Sequence, residues 1–347
     1  MSHLRGLNSG LVRVALCSAQ IVTIVSVLSC ERKPDNRPVA TTGKAVETSD
    51  KAVGTSGKAA QKTFASPAEA GAAFHQAAKS GDQSALLAIF GPDATEVLFS
   101  GDPVKDRNAL TQFVSAYETM NRWGKINGGG EMLYVGPENF QFPVPLLRTS
   151  SGQWYFDSAG GADEILARRI GRNELVAMAA MGAISKAEHQ YFNTAHAGGG
   201  VKQYAQKFVS DAGQQNGLYW PSSDTRTQSP LGQLGDFAKG AGYTNSGNNP
   251  QPFNGYYFRI LTKQGDTAKG GAKDYIVDGK MTAGFAILAY PAEYQNSGIM
   301  SFLVGTDGTV YEKDLGPMTA DTAVAITEYN PSGWKSVTDQ GSREQQK

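Results

Sequence analysis

Cysteine is nearly absent: only Cys17 and Cys30 occur in 347 residues. Downstream of Cys30 the chain therefore has no disulfide, no thiol nucleophile and no cysteine metal site. Net charge is lacking too. Lys and Arg number 32, and so do Asp and Glu. That balance removes the electrostatic basis for binding nucleic acid or acting as a polybasic membrane patch. No apolar run reaches the roughly 20 residues of a membrane-spanning helix. Catalytic motifs are missing as well. There is no Gly-x-Ser-x-Gly elbow. There is no Gly-x-x-x-x-Gly-Lys phosphate loop, and Gly128-Gly129-Gly130 lacks the strand-to-helix setting. Asp307-Gly308 lacks the spacing of a calcium loop and reads as a hairpin turn. No cofactor is expected, and no motif names a reaction.

What is present starts at the N-terminus. Arg5 and Arg13 precede residues 14–29, a stretch of 16 residues with no later charge before Cys30. A basic start, an apolar middle and small residues at the break form a cleaved export signal rather than a span. Val27-Leu28-Ser29-Cys30 resembles the lipobox of bacterial lipoproteins. The resemblance implies that residues 1–29 are a lipoprotein signal peptide, that the Cys30 sulfur is acylated, and that the chain is cut before it. Acyl chains anchor because each buried methylene contributes about 0.8 kcal/mol. Cys17 fits worse, since bulky Leu16 precedes it. The plainer alternative is an ordinary signal with an incidental Cys30. On the lipobox reading the partner is a lipid bilayer. The protein is then a membrane-anchored envelope lipoprotein facing the periplasm or cell exterior. The outer membrane is favoured because Glu31 is not the Asp that often marks inner-membrane retention. Cleavage removes two arginines and no acid, leaving 30 basic against 32 acidic residues.

The remaining chain suits two modest domains. Residues 30–64 are Thr-, Ser-, Lys-, Ala- and Pro-rich and read as a disordered tether. As a flexible coil it reaches roughly 30 Å. Its Lys-Ala-Val repeat has a seven-residue period but no a/d seam. Residues 65–160 form an N-terminal α+β domain. Ser66-Pro67-Ala68-Glu69 is a helix start, further helices are predicted at 84–90 and after Asp102-Pro103, and strands at 131–135, 140–148 and 153–157. Pro143 and Pro145 mark an edge or bulge in the second of these. Residues 161–335 form a C-terminal α+β domain. It holds a long helix at 162–194 that Gly171 kinks or splits, and short helices near 201–209 and 231–239. Strands follow at 256–261, 275–277, 283–289, 299–304 and 309–312, with a closing helix at 319–329. Residues 336–347 read as a disordered tail. The fold class is α+β, with helices packed on antiparallel sheets.

Several stretches carry a resemblance. They are Ser100-Gly101-Asp102-Pro103-Val104, Phe142-Pro143-Val144-Pro145-Leu146, Arg169-Ile170-Gly171-Arg172-Asn173-Glu174-Leu175, Gly217-Leu218-Tyr219-Trp220-Pro221, Gly255-Tyr256-Tyr257-Phe258-Arg259-Ile260-Leu261-Thr262 and Tyr290-Pro291-Ala292-Glu293-Tyr294. With them the chain resembles a bacterial family known as domain-of-unknown-function family 2950. The resemblance implies a secreted or lipid-anchored protein and brings no established activity or site. Residues 66–157 are similar to nuclear-transport-factor-like cones. Residues 173–316 are similar to the globular heads of type IV pilins and pseudopilins. The long helix lies inside the chain, so filament assembly does not follow from that likeness.

Candidate chemistry is sparse. His189 and His196 lie two helical turns, about 10.5 Å, apart, too far to share one metal, so no metal site is expected. His75 reads as a helix-surface residue. Ser332-Gly333-Trp334-Lys335 has the Ser-x-x-Lys spacing but no orienting helix. Asp93, Asp102 and Asp106, with Tyr117 and Trp123, are the polar candidates for a cone pocket, although Asp102 before Pro103 fits a helix cap better. Arg168, Arg169 and Arg172 read as a solvated face or as partners of Asp163, Glu164 and Glu174. Tyr219-Trp220-Pro221 is the one aromatic cluster in a Gly/Pro-rich loop. Packing is the favoured reading of Tyr219 and Trp220, and a stacking platform for sugars or a protein is the alternative.

These observations point to a non-catalytic binding or scaffolding protein of the envelope. Its partner would be cell-wall glycan or an envelope protein, and not nucleic acid. The alternative is a small-pocket hydrolase or isomerase that uses the N-terminal cone.

Overall fold

The computed structural model describes residues 60–194, 200–221, 228–243 and 251–337. All of them belong to one compact unit, Ser56–Lys347. Residues 1–59 and 338–347, on which the expected signal, Cys30, most of the expected tether and most of the expected tail fall, lie outside the described residues. The class is α+β, with helices packed on antiparallel sheets.

The N-terminal part runs α1 (Pro67–Ser80), α2 (Gln83–Phe90), α3 (Thr95–Leu98), α4 (Pro103–Thr119), β1 (Asn121–Lys125), β2 (Glu131–Val135), β3 (Phe140–Gln141), β4 (Leu146–Arg148) and β5 (Trp154–Phe156). Side-chain caps set the helix starts. The Glu69 amide donates to Ser66 Oγ at 3.2 Å and the Ala85 amide to Asp82 Oδ1 at 3.0 Å. Each cap satisfies one amide that the first turn leaves free. The sheet is ordered β1-β2-β4-β5, with β3 paired to β2. The single strand expected at 140–148 is split into β3 and β4, because the two prolines between them interrupt pairing.

Aromatic rings fill the space between helices and sheet. Phe74 stacks on Phe113 at 4.0 Å and meets Phe90 at 4.8 Å, Phe142 at 5.0 Å and Phe156 at 6.0 Å between ring centres. Such pairs add about 0.5–1.5 kcal/mol each beyond the area they bury. Order also starts earlier than the predicted tether boundary at 64. Phe64 is 1% exposed and exchanges backbone hydrogen bonds with Trp154 at 2.8 Å. Gln61 donates to the carbonyls of Ile89 and Phe156 at 3.0 and 2.7 Å. Burial of the Phe64 ring draws these residues onto β5.

The second part comprises α5 (Ser158–Asn193), α6 (Gly232–Gly240), β6 (Tyr256–Leu261), β7 (Lys263–Gln264), β8 (Lys273–Asp274), β9 (Ile276–Val277), β10 (Lys280–Met281), β11 (Ala286–Pro291), β12 (Met300–Gly305), β13 (Val310–Asp314), α7 (Thr319–Ala325) and β14 (Lys335–Ser336). α5 is one unbroken helix of 36 residues, and Gly171 neither kinks nor splits it. The expected domain boundary at 160/161 falls inside its first turn. Ile165 packs on the aromatic core, whereas Ala177, Met181, Ile184, Ala187 and Tyr191 belong to a second core. One rod thus serves both cores.

The main sheet is antiparallel in the order β14-β13-β12-β11-β6. Ala286, Ile287, Leu288 and Ala289 are all buried in succession, the mark of a strand covered on both faces. Gly308, at φ 75°, turns the β12–β13 hairpin, and the Thr309 amide donates to Asp307 Oδ1 at 3.1 Å.

Three further expectations fail. Residues 201–209 form no helix. Tyr204 bridges to Met281 and Val209 to Tyr219, and the Ala205 amide is claimed by Glu188 of α5. The closing helix stops at Ala325. Beyond it Tyr329 pairs in parallel with Gln264, and Arg259 collects the carbonyls of Ala323, Val324 and Ile326. Order extends past 335, because Ser336 belongs to β14 and the Val337 amide donates to the Val310 carbonyl at 3.0 Å.

Candidate functional site

Of the residues singled out in the sequence, Trp220 is buried at 9% exposure and belongs to the second core. Tyr219 lies half-buried over Gly235 and donates its hydroxyl to Asp236 Oδ1 of α6 at 2.8 Å. The two rings share no exposed platform. His196 lies outside the described residues. His189 contacts the Thr306 carbonyl at 3.0 Å. His75 stacks on Tyr117 at 4.9 Å and pairs with Glu118 at 3.1 Å. Among the described residues no group of three His, Cys, Asp or Glu side chains could hold a metal, and no helix is long and apolar enough to cross a membrane.

The densest polar cluster joins the two cores. Asp102 caps α4 as its sequence predicts, with Oδ1 accepting from the Val104 and Lys105 amides at 3.1 Å. Its Oδ2 accepts from Tyr243 Oη at 2.6 Å and from the Gly255 amide at 3.1 Å. This carboxylate is fully buried, and four donors offset the cost of removing its charge from water. Gly255 sits at φ 79°, and a Cβ there would fall 2.7 Å from Asn173 Nδ2, so glycine is required. Asn173 donates to the Ser297 carbonyl at 2.7 Å and accepts from Lys105 Nζ. Burial, with Arg172 nearby, pulls the Lys105 ammonium down to about 8.

Arg169 departs from its expected place on a solvated face. Its guanidinium donates to the carbonyls of Glu96, Val97 and Phe99 at 2.6, 2.7 and 3.2 Å, and to Asn296 Oδ1. It thereby satisfies the C-terminal carbonyls of α3. Asp106 accepts from the Ser100 hydroxyl at 2.6 Å and from its amide at 3.1 Å, while burial pushes its carboxyl upward. Glu174 accepts from the amides of Ile299 and Met300 at 3.0 and 2.9 Å. Arg168 pairs with Glu164 at 2.5 Å, as the i,i+4 spacing predicts. The sequence does carry one signal of this cluster: Arg169 and Asn173 are four apart and so share a face of α5. Asp102 is bonded through both oxygens, whereas the Lys105 ammonium has one hydrogen bond, to Asn173.

An open groove of about 460 Å³ lies elsewhere, between α7 with its following segment and the β12–β14 end of the sheet. Leu303, Leu315, Ile326 and Trp334 line it together with Lys313 and Glu328. Ser332, from the Ser-x-x-Lys spacing, is also at its wall. Its walls are pinned. Arg259 holds the end of α7, the Tyr329 amide donates to the Lys263 carbonyl at 2.9 Å, and β14 pairs with β13. Sequence reasoning missed this groove, because its lining is drawn from separated segments.

A family model described as Protein of unknown function (DUF2950) matches residues 61–337. No curated protein and no solved structure matches the chain. The likenesses to transport-factor cones and pilin heads are therefore without a matching structure. Four of the stretches that carry the family resemblance meet at the polar cluster, through Ser100 and Asp102, Arg169 to Glu174, Gly255, and Glu293.

Proposed function

The chain belongs to the DUF2950 family of proteins of unknown function, and from that premise we propose that it is a lipid-anchored envelope protein that acts by binding rather than by catalysis. The lipobox-like Val27-Leu28-Ser29-Cys30 supports the anchor. Binding is supported above all by the state of the interior. The space where a cone enzyme needs its pocket holds the rings of Phe74, Phe90, Phe113, Phe142 and Phe156, and both oxygens of the buried Asp102 are occupied, one capping α4 and the other bonded to Tyr243 and Gly255. A ligand is left the surface, which carries a preformed groove. The partner in this reading is cell-wall glycan or another envelope protein.

Cys30→Ser tests the anchor in cells. The variant should leave the membrane fraction for the soluble one, and continued dependence on detergent refutes lipidation. Crosslinking in intact cells tests binding. Covalent adducts with envelope glycan or a specific envelope protein are expected, and a chain recovered without adducts refutes the reading.

A further inference from the structure

The groove beside α7 has a mixed lining that favours one ligand chemistry. Leu303, Leu315 and Ile326 give an apolar floor, and the half-buried Trp334 adds an indole. Around them stand Thr322, Thr327 and Ser332, which both donate and accept, and the Asn330 amide. Lys313 and Glu328 add one charge of each sign. Among the described residues Lys313 has no ion pair, and Glu328 has only the loose contact with Lys263 at 3.9 Å. Asn330 Oδ1 is buried without a hydrogen-bond partner among the described residues. An unpaired buried acceptor is costly.

We infer that this groove binds a neutral, pyranose-based oligosaccharide. A pyranose presents an apolar C–H face for the indole and a rim of hydroxyls for the Thr, Ser, Asn, Lys and Glu side chains. An acyl chain would leave those polar groups unpaired. A polyanion or polycation would meet Glu328 or Lys313 as a like charge. The groove is open, with room of about 460 Å³. The backbone walls are already fixed by Arg259, by the Gln264–Tyr329 bridge and by β14, so little ordering entropy opposes binding. This inference rests on the reading of the chain as a binding protein and names the ligand class.

The test is titration of the full soluble chain, released by Cys30→Ser, with cellotetraose, chitotetraose and maltotetraose, followed by heat and by tryptophan fluorescence. At least one sugar should bind. Trp334→Ala should weaken it by about tenfold, the loss of one stacked ring. Because Trp334 also touches the core, Ser332→Tyr serves as the second variant: it fills the groove from an exposed position, should abolish binding, and should leave melting unchanged. Binding unaffected by either variant overturns the groove assignment, as does failure of all three sugars or capture of an extended peptide in their place. If the sugars fail while the chain still binds isolated envelope material, the sugar site is wrong and the binding role stands. If neither binds, both fail.

Discussion

Glu188 gives the protein a defined response to pH. It lies fully buried on α5. Its Oε2 accepts from the Ala205 amide at 2.8 Å, and Oε1 has no partner among the described residues. Burial pushes its carboxyl from 4.5 up to about 8, opposed only in part by the Ala205 amide. Tyr191 and Tyr204 lie near, and burial raises both phenols, so they stay neutral here. Below pH 4.5 the group is protonated in folded and unfolded chains alike, and its contribution to stability is complete. Between 4.5 and about 8 the unfolded chain releases the proton and the folded chain keeps it. Stability is therefore lost as pH rises, by up to about 1.4 kcal/mol per unit, or roughly 3–5 kcal/mol over the window. Glu188→Gln keeps the acceptor for Ala205 and cannot ionise. Urea unfolding across pH 4.5–8.5 should show the variant gaining on the parent by that amount, with other titrations cancelling in the difference. Parallel stability curves would refute the buried, proton-holding carboxyl.

Three further outcomes are expected. Asp102→Ala removes a helix cap and leaves Tyr243 and the Gly255 amide unpaired, so denaturant unfolding should show a loss of about 3 kcal/mol or more. Asp102→Asn should lose less, because Oδ1 still caps α4 and Nδ2 can donate to Tyr243 Oη, although it cannot accept from the Gly255 amide. An unchanged midpoint in Asp102→Ala would mean the joint between the cores carries no weight. Trp220→Ala should lower stability by about 3–5 kcal/mol as a core truncation; stable melting with weakened ligand binding would reinstate the exposed platform. Phe74→Ala should cost a similar 3–5 kcal/mol and loosen the aromatic core, read by near-ultraviolet circular dichroism, and an unaltered spectrum would contradict the ring packing.

Local chemistry made much of the fold legible. The starts of α1 and α4 follow from Ser66-Pro67 and Asp102-Pro103 because a cap bonds within three residues of itself. The β12–β13 hairpin follows from Asp307-Gly308 for the same reason. Long-range partners were hidden. Asp102 meets Tyr243 and Gly255 across 141 and 153 residues, and no spacing rule encodes that meeting. Arg169 looked like a surface charge because its acceptors are backbone carbonyls, which carry no residue signature. At 201–209 tertiary pairing with Met281 and Tyr219 overrides the helical propensity of the segment. Trp220 behaved as its size suggests, with its ring in the core. The groove could not be read from one dimension: Leu303, Lys313, Glu328 and Trp334 stand on separate elements.

The envelope assignment depends on one thiol. Intact mass analysis of the protein extracted from membranes addresses it directly. A chain beginning at Cys30 and heavier by its fatty acyl groups is the expected species. A chain that retains residues 1–29, or one whose Cys30 carries no lipid, would contradict the anchored placement.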